Sequence, residues 1–324
     1  MQRRQFIQSA LAGAAGLATL PLAVHSAMAS QSKPFFEARR LPVGLQLYTL
    51  DPDLNQDFDG TLAAVSRIGY RSVELAGFHG RSARQLRQSF DTNRLVCRSA
   101  HVPGVAMGPG YSLDGDLNAL AAAAHVIGIT DIVMPIFLFP AGFKPAAGMD
   151  MLGILRAAGK ALQTADYQRM AAFLNAKAHL LREHGLRLSY HNHNFEFAPL
   201  AGGDTGLAVL LRETDASLVS FEMDVGWVAA AGLDPIPLLL QHPGRFTKMH
   251  VKDIRPSTTA NFELSQDPAE VGSGKIDWRH ILPVAYAAGV RQYFVEQEPP
   301  YPGTRLESVT KSYRYLAGLS AGST

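Results

Sequence analysis

Three apolar runs end in residue types that bind metals: Asp224 follows Val219–Met223, His250 stands in Phe246–Val251, and Glu296 closes Gln292–Glu296. Carboxylate oxygens and imidazole nitrogens are the donors a divalent ion takes in the absence of thiolates. Cysteine occurs once, as Cys97, which excludes an intrachain disulfide and a cysteine zinc cage. A fourth donor is expected from Arg187–His191 and the residues after it, where His191, His193 and Glu196 compete. Alternate residues of a strand point the same way, so His191 and His193 share a face, and His191 lies nearest the strand end. Further polar groups stand at the ends of the other runs: Gln46 and Tyr48, Glu74, His101, Glu222, Lys252 and Glu298. Burying so many ionisable groups without partners would cost about several kcal/mol each, so a shared metal or a network of ions is the expectation. Lys252 either binds an oxyanion or pairs with Asp253 or Glu298. Trp227 and Phe195 read as a pocket wall or as core, and Glu74 and His101 as substrate contacts or as structural hydrogen-bonding groups.

The elements that must position these groups follow from hydrophobic periodicity. Strands are predicted at Val43–Leu47, Ser72–Leu75, Leu95–Ala100, Asp131–Pro135, Arg187–His191, Val219–Met223, Phe246–Val251 and Gln292–Glu296. Helices are predicted at Phe58–Ile68, Ala83–Asp91, Leu113–Ile127, Ala165–Glu183, Thr205–Glu213, Pro235–Gln241, Trp278–Ala287 and Leu306–Ala317. Gly69, Gly128, Gly185 and Gly289 each follow a helical pattern, where a left-handed cap is wanted. Strict β–α alternation implies an α/β protein, a (β/α)8 TIM barrel, whose active site lies at the C-terminal ends of its strands. Two connections on that face are long: Ile136 to Thr164, with a short helix around Met151–Ala158, and Ile254 to Asp277. Each reads as a substrate wall or as a surface excursion. Val271-Gly272-Ser273-Gly274 reads as a turn before a helix starting at Asp277-Trp278, not as a phosphate cradle.

Composition narrows the classes of function. The chain has 324 residues, 47% hydrophobic and 18% charged, enough for one large core. Lys plus Arg number 30 against 28 Asp plus Glu, a formal charge of +2, which excludes the basic excess expected of a nucleic-acid binder. At the N-terminus Arg3-Arg4 precedes an Ala/Gly/Leu-rich run from Ser9 to Val24 and the small-x-small pattern Ala27-Met28-Ala29. That pattern reads as a twin-arginine signal peptide over 1–29, ahead of a single barrel domain over 30–324. It implies passage through the twin-arginine translocase to a periplasmic or otherwise exported location. Gly13, Gly16 and Pro21 interrupt the apolar run, so no stable membrane insertion is expected after cleavage.

The stretches Gly44-Leu45-Gln46-Leu47-Tyr48, Tyr190-His191-Asn192-His193-Asn194-Phe195-Glu196-Phe197, Glu222-Met223-Asp224-Val225-Gly226-Trp227, Met249-His250-Val251-Lys252-Asp253, Val271-Gly272-Ser273-Gly274-Lys275-Ile276-Asp277-Trp278 and Phe294-Val295-Glu296 together resemble the xylose-isomerase-like barrels. This is the sugar phosphate isomerase/epimerase superfamily, which also includes inosose dehydratases and endonuclease IV. The resemblance implies one divalent ion, manganese with zinc, cobalt or magnesium as alternatives, held by Glu, Asp, His and Glu on strands five to eight. Asp224, His250 and Glu296 match three of these, while His191 stands where the family commonly has the first Glu. That exchange keeps a metal ligand and removes a carboxylate acid/base.

The resemblance implies a metal-dependent sugar or polyol isomerase or epimerase working through an ene-diolate. Glu296 is then the base, with His191, Glu74 or His101 as its opposite partner and Lys252 as a further catalytic group. Substrate contacts fall to Gln46, Tyr48, His193, Glu196, Trp227 and Glu298. The alternative is a lyase acting on 3-keto-glycosides. A non-catalytic sugar-binding barrel ranks lower, and the near-neutral charge and the export signal argue against an apurinic-site nuclease.

Overall fold

The computed structural model describes residues 33–320, and the signal peptide expected over 1–29 lies outside them. Eight short strands form one closed parallel barrel: β1 Gly44–Gln46, β2 Ser72–Ala76, β3 Val96–His101, β4 Asp131–Met134, β5 Arg187–His191, β6 Val219–Asp224, β7 Phe246–Val251 and β8 Gln292–Val295. Neighbours in sequence are neighbours in the sheet, and β1 closes the ring on β8 with Gly44 opposite Phe294. This is the (β/α)8 barrel that the alternation requires. Outward-facing residues such as Val73, Leu75, Ile132, Leu188, Met249 and Val251 pack fully buried under Leu62, Leu86, Leu120, Leu174, Leu210 and Leu282 of the surrounding helices. The apolar core therefore lies between sheet and helices.

Inside the barrel the pattern inverts, because alternate positions on several strands are polar. β7 directs Lys248 and His250 inward, with Lys252 just beyond, and β6 directs Ser220, Glu222 and Asp224. At the N-terminal end of the barrel the Lys248 ammonium donates to Ser189 at 2.7 Å and to Asp131 at 3.2 Å. Gln292 and Arg187 also donate to Asp131. The middle layer holds Glu74, His101, His191, Glu222 and His250, and the upper layer holds Asp224, Lys252 and Glu296. Buried polar groups are stable only when partnered, and this interior is partnered by charges of opposite sign.

Helices Phe58–Ile68 and Pro235–Gln241 have the predicted limits. The helix predicted over Leu113–Ile127 instead begins at Leu117, because the Asp116 carboxylate accepts from the N–H groups of Asn118 and Ala119 and fixes the start there. The short helix in the first long connection runs Met151–Ala161, three residues past its predicted end, capped by Asp150. Gly69, Gly128, Gly185 and Gly289 all have positive φ, from 71° to 127°, as a helix-terminating glycine requires. Three further helices, Phe35–Arg39, Asp51–Gln56 and Val225–Ala230, were not predicted. Val225–Ala230 is buried on every side, so its sequence carries no amphipathic period. The second long connection contains a two-stranded ribbon, Asp253–Ile254 against Pro268–Ala269.

Candidate metal centre

Local structure aims the donor atoms of the candidate ligands at one another. Asp224 ends β6 and caps the helix Val225–Ala230, its Oδ1 accepting the Trp227 N–H at 3.0 Å. Its Oδ2 is buried and accepts no hydrogen bond of proper geometry. His250 meets Glu74 Oε1 at 2.8 Å and Glu222 Oε2 at 3.2 Å through Nε2, and its Nδ1 lies 2.9 Å from Glu296 Oε2. His191 meets Glu222 Oε2 through Nδ1 at 3.0 Å, which turns its Nε2 toward Asp224. Asp224 Oδ2 lies 3.9 Å from His191 Nε2 and 3.8 Å from His250 Nδ1. Those spacings are too long for hydrogen bonds and suit donors gathered around a common ion.

One donor each from His191, Asp224, His250 and Glu296 lies within 4.8 Å of the others, and all four residues are buried. The set fits a divalent ion: two imidazoles and two carboxylates, with one Asp224 oxygen that meets only the Lys252 ammonium within 3.5 Å. It also provides the support such ligands need, since a His191 Nδ1–H directed at Glu222 leaves Nε2 facing Asp224, and Glu74 and Glu222 hold His250 through Nε2 with Nδ1 turned toward Glu296. A second group, His101, His191, Glu222 and His250, is equally compact. There the imidazole nitrogens converge on Glu222 Oε2, so it serves as the hydrogen-bonded floor of the first.

Electrostatics follow from this packing. Burial opposes charge on Glu296, but the Lys252 ammonium and His250 outweigh it and hold the carboxyl well below the usual range. Burial raises Asp224 to about 7, against the pull of Lys252 and with the push of the Glu296 charge. His101 reaches about 9, because Glu74 and Glu222 overcome its burial. His191 and His193 are held neutral by burial and by neighbouring cationic groups.

Lys252 resolves the choice left open by the sequence: it pairs with Glu298 at 2.9 Å, with Glu296 at 2.8 Å and with Asp224 at 3.0 Å. It does not pair with Asp253, whose carboxylate is taken by the N–H groups of Gly272, Gly274 and Ile276 and by the Trp278 indole. Those bonds fold the Val271–Gly274 turn onto the end of β7. Glu74 is fully buried and engaged by Gln46, Ser99, His101 and His250. Gln46 spends its amide on Glu74 and on the Tyr48 N–H. Glu196 accepts from the Tyr190 hydroxyl and the His193 N–H, anchoring the turn after β5 rather than joining the donor cluster. His193 stacks on Phe195 and meets the rings of His191 and Trp227. The Nδ1 of His193 and the Nε1 of Trp227 are buried without hydrogen-bond partners. Tyr48 is exposed, beside the charges of Glu298 and Glu296. Glu222 was given no role by the sequence reading, although its place two residues before Asp224 puts it on the same strand face.

The family described as xylose isomerase-like TIM barrel matches residues 62–318. An inosose dehydratase from Geobacillus kaustophilus is 24% identical over 206 residues, covering 61% of this chain and 62% of its own. Against the inosose dehydratases of Geobacillus and Salmonella, the chain spans 43% to 62% of their length. The structure of a sugar phosphate isomerase/epimerase from Parabacteroides distasonis superposes with a TM-score of 0.67 at 23% identity, over 85% of this chain and 93% of that one. An IOLI protein crystallised with a zinc atom superposes with a TM-score of 0.57 at 14% identity, over 86% of this chain and 98% of that one. Among the described residues, no helix is long and apolar enough to cross a membrane.

Proposed function

Because the chain belongs to the xylose isomerase-like TIM barrel family, we propose that it is a metal-dependent lyase that eliminates water or an alcohol from a keto sugar or keto cyclitol. The observation that carries this reading is the supply of carboxylates. Of the carboxylates Glu74, Glu222, Asp224 and Glu296, only Glu296 keeps any side-chain exposure, 8% against 0% for the other three, so it is the one a substrate can reach once an ion has replaced its Lys252 partner. Epimerisation between two carboxylates needs a second one to return the proton on the opposite face, whereas elimination on one face needs only the first.

His191, Asp224, His250 and Glu296 would hold the ion, which when bound supplies Lewis acidity to a substrate carbonyl. Glu296 takes the proton from the carbon beside that carbonyl. The C–H electron pair forms the new C=C bond, the next C–O bond breaks, and Glu296 hands its proton to the departing oxygen. The balance is a loss of water, or of an alcohol if the oxygen was glycosidic. Lys252, the unpartnered N–H of Trp227 and the free Nδ1 of His193 would be the groups offered to substrate oxygens. The name of the matched dehydratases, loss of water from an inosose, supports the same reaction class. The isomerase reading keeps one observation in its favour: the unpartnered His193 Nδ1 next to His191 is a second group able to return a proton. The small substrate class and the export through residues 1–29 belong to the same proposal.

The test is incubation of the Mn2+-loaded protein in D2O with a 2-keto inositol and with 3-keto-glycosides. The expected outcome is an unsaturated ketone and, from the glycosides, a released aglycone, with the unoxidised glycosides untouched. Recovery of an epimer or isomer carrying deuterium, without elimination, would replace this reading by the isomerase one.

A further inference from the structure

We infer that Lys252 is the built-in counter-ion of the metal-free centre, and that a divalent cation displaces its ammonium from Asp224 and Glu296 toward Glu298. The inference rests on the reading that His191, Asp224, His250 and Glu296 hold the ion. Lys252 Nζ lies 3.0 Å from Asp224 Oδ2 and 2.8 Å from Glu296 Oε2, on the two carboxylates that the donor cluster offers to a metal. Its third partner, Glu298 Oε1 at 2.9 Å, stands outside that cluster.

The placement is built into the fold. The lysine side chain is 1% exposed. Its stem passes over Gly226, where a Cβ would stand 2.6 Å from Lys252 Cγ, so only glycine leaves it room. The ammonium lies 4.8 Å from the centre of the Trp227 ring, a favourable cation–π position. Two buried carboxylates cannot both remain ionised without a cation; before metal arrives this lysine lies within 3.0 Å of both, while His250 Nδ1 reaches Glu296 at 2.9 Å and stays 3.8 Å from Asp224.

A divalent ion at the same oxygens repels the ammonium and replaces its charge. Glu298, with a side chain 27% exposed, gives the ammonium a second position on the solvent side. Asp224, Glu296 and Glu298 thus form a track with an inner and an outer stop. In the outer position the ammonium is offered to substrate only after the ion is in place, which couples substrate capture to metal loading.

Peptide-resolved acylation of lysines with an N-hydroxysuccinimide ester tests this on the full chain, chelator-treated or loaded with Mn2+. Lys252 should be protected in the metal-free protein and acylated severalfold faster after loading. Lys248, fully buried against Asp131 and Ser189, should stay protected in both states. Equal Lys252 rates with Mn2+ bound overturn the inference and leave the metal reading standing. No uptake of Mn2+ in titration calorimetry overturns both. In Lys252→Met the metal-free protein should lose about 10 °C of melting temperature while the Mn2+-loaded protein loses far less. Equal losses in the two states would mean that Lys252 stays on Asp224 and Glu296 throughout.

Discussion

Glu222 Oε2 stands 3.0 Å from His191 Nδ1 and thereby decides which nitrogen of that imidazole faces Asp224. The same oxygen lies 3.2 Å from His250 Nε2, so one carboxylate orients both imidazoles of the centre. Glu222→Gln should therefore fold normally and bind Mn2+ about 10–100-fold more weakly by titration calorimetry. Unchanged affinity would show that the imidazoles hold their tautomers without it.

Removing two of the donors should remove the ion. Wild-type protein purified without chelators should carry about one divalent ion per chain by elemental analysis, as the four-donor set implies. An Asp224→Ala/His250→Ala variant should carry none. An equal metal content in the variant would move the site elsewhere.

Acid should attack the opposite end of the barrel. Burial opposes ionisation of Asp131, but Lys248 and Arg187 outweigh it and hold the carboxyl well below its ordinary 3.8. A depressed folded-state pKa contributes stability that is complete above the unfolded value and is lost as pH falls through the folded one. Asp131→Asn should cost about 3 kcal/mol at pH 7 in denaturant unfolding, because it leaves Lys248 buried without its counter-charge. The deficit should shrink as pH drops below 3.8.

Glu196 should act in the opposite sense. Burial raises its carboxyl from 4.5 to about 8, against the hydrogen bonds from Tyr190 and His193. The folded state then binds more protons than the unfolded one between those values, so its contribution to stability declines as pH rises from 4.5 to 8 and is level above. Glu196→Gln keeps an acceptor for the His193 N–H and lacks the titration. Its stability relative to wild type should therefore grow across that window, and a constant difference in pH-dependent melting would refute the assignment.

The barrel was legible because its outward strand faces are apolar, its helices are amphipathic, and Gly69, Gly128, Gly185 and Gly289 mark helix ends. The ligand types at Asp224, His250 and Glu296 were legible because nothing in an apolar run calls for them. What the sequence withheld depends on three-dimensional neighbours. Lys252 reads equally well beside Asp253 or Glu298, and only the folded turn shows Asp253 consumed by backbone N–H groups. The intramolecular partners of Gln46 and Glu196 also appear only in the fold: Glu74 for one, Tyr190 and the His193 N–H for the other. Val225–Ala230 has no period to read, because it is buried all round.

The layered charges inside the barrel also bear on how the chain folds. Their partners are far apart in sequence: Lys248 and Asp131 are separated by 117 residues, His101 and Glu222 by 121, and His250 and Glu74 by 176. The inner face of a half-barrel is open to water, so these charges stay hydrated there and are desolvated only as the ring closes. Pairing of these charges across the barrel thus comes with ring closure, which couples sequence-distant βα units to one another.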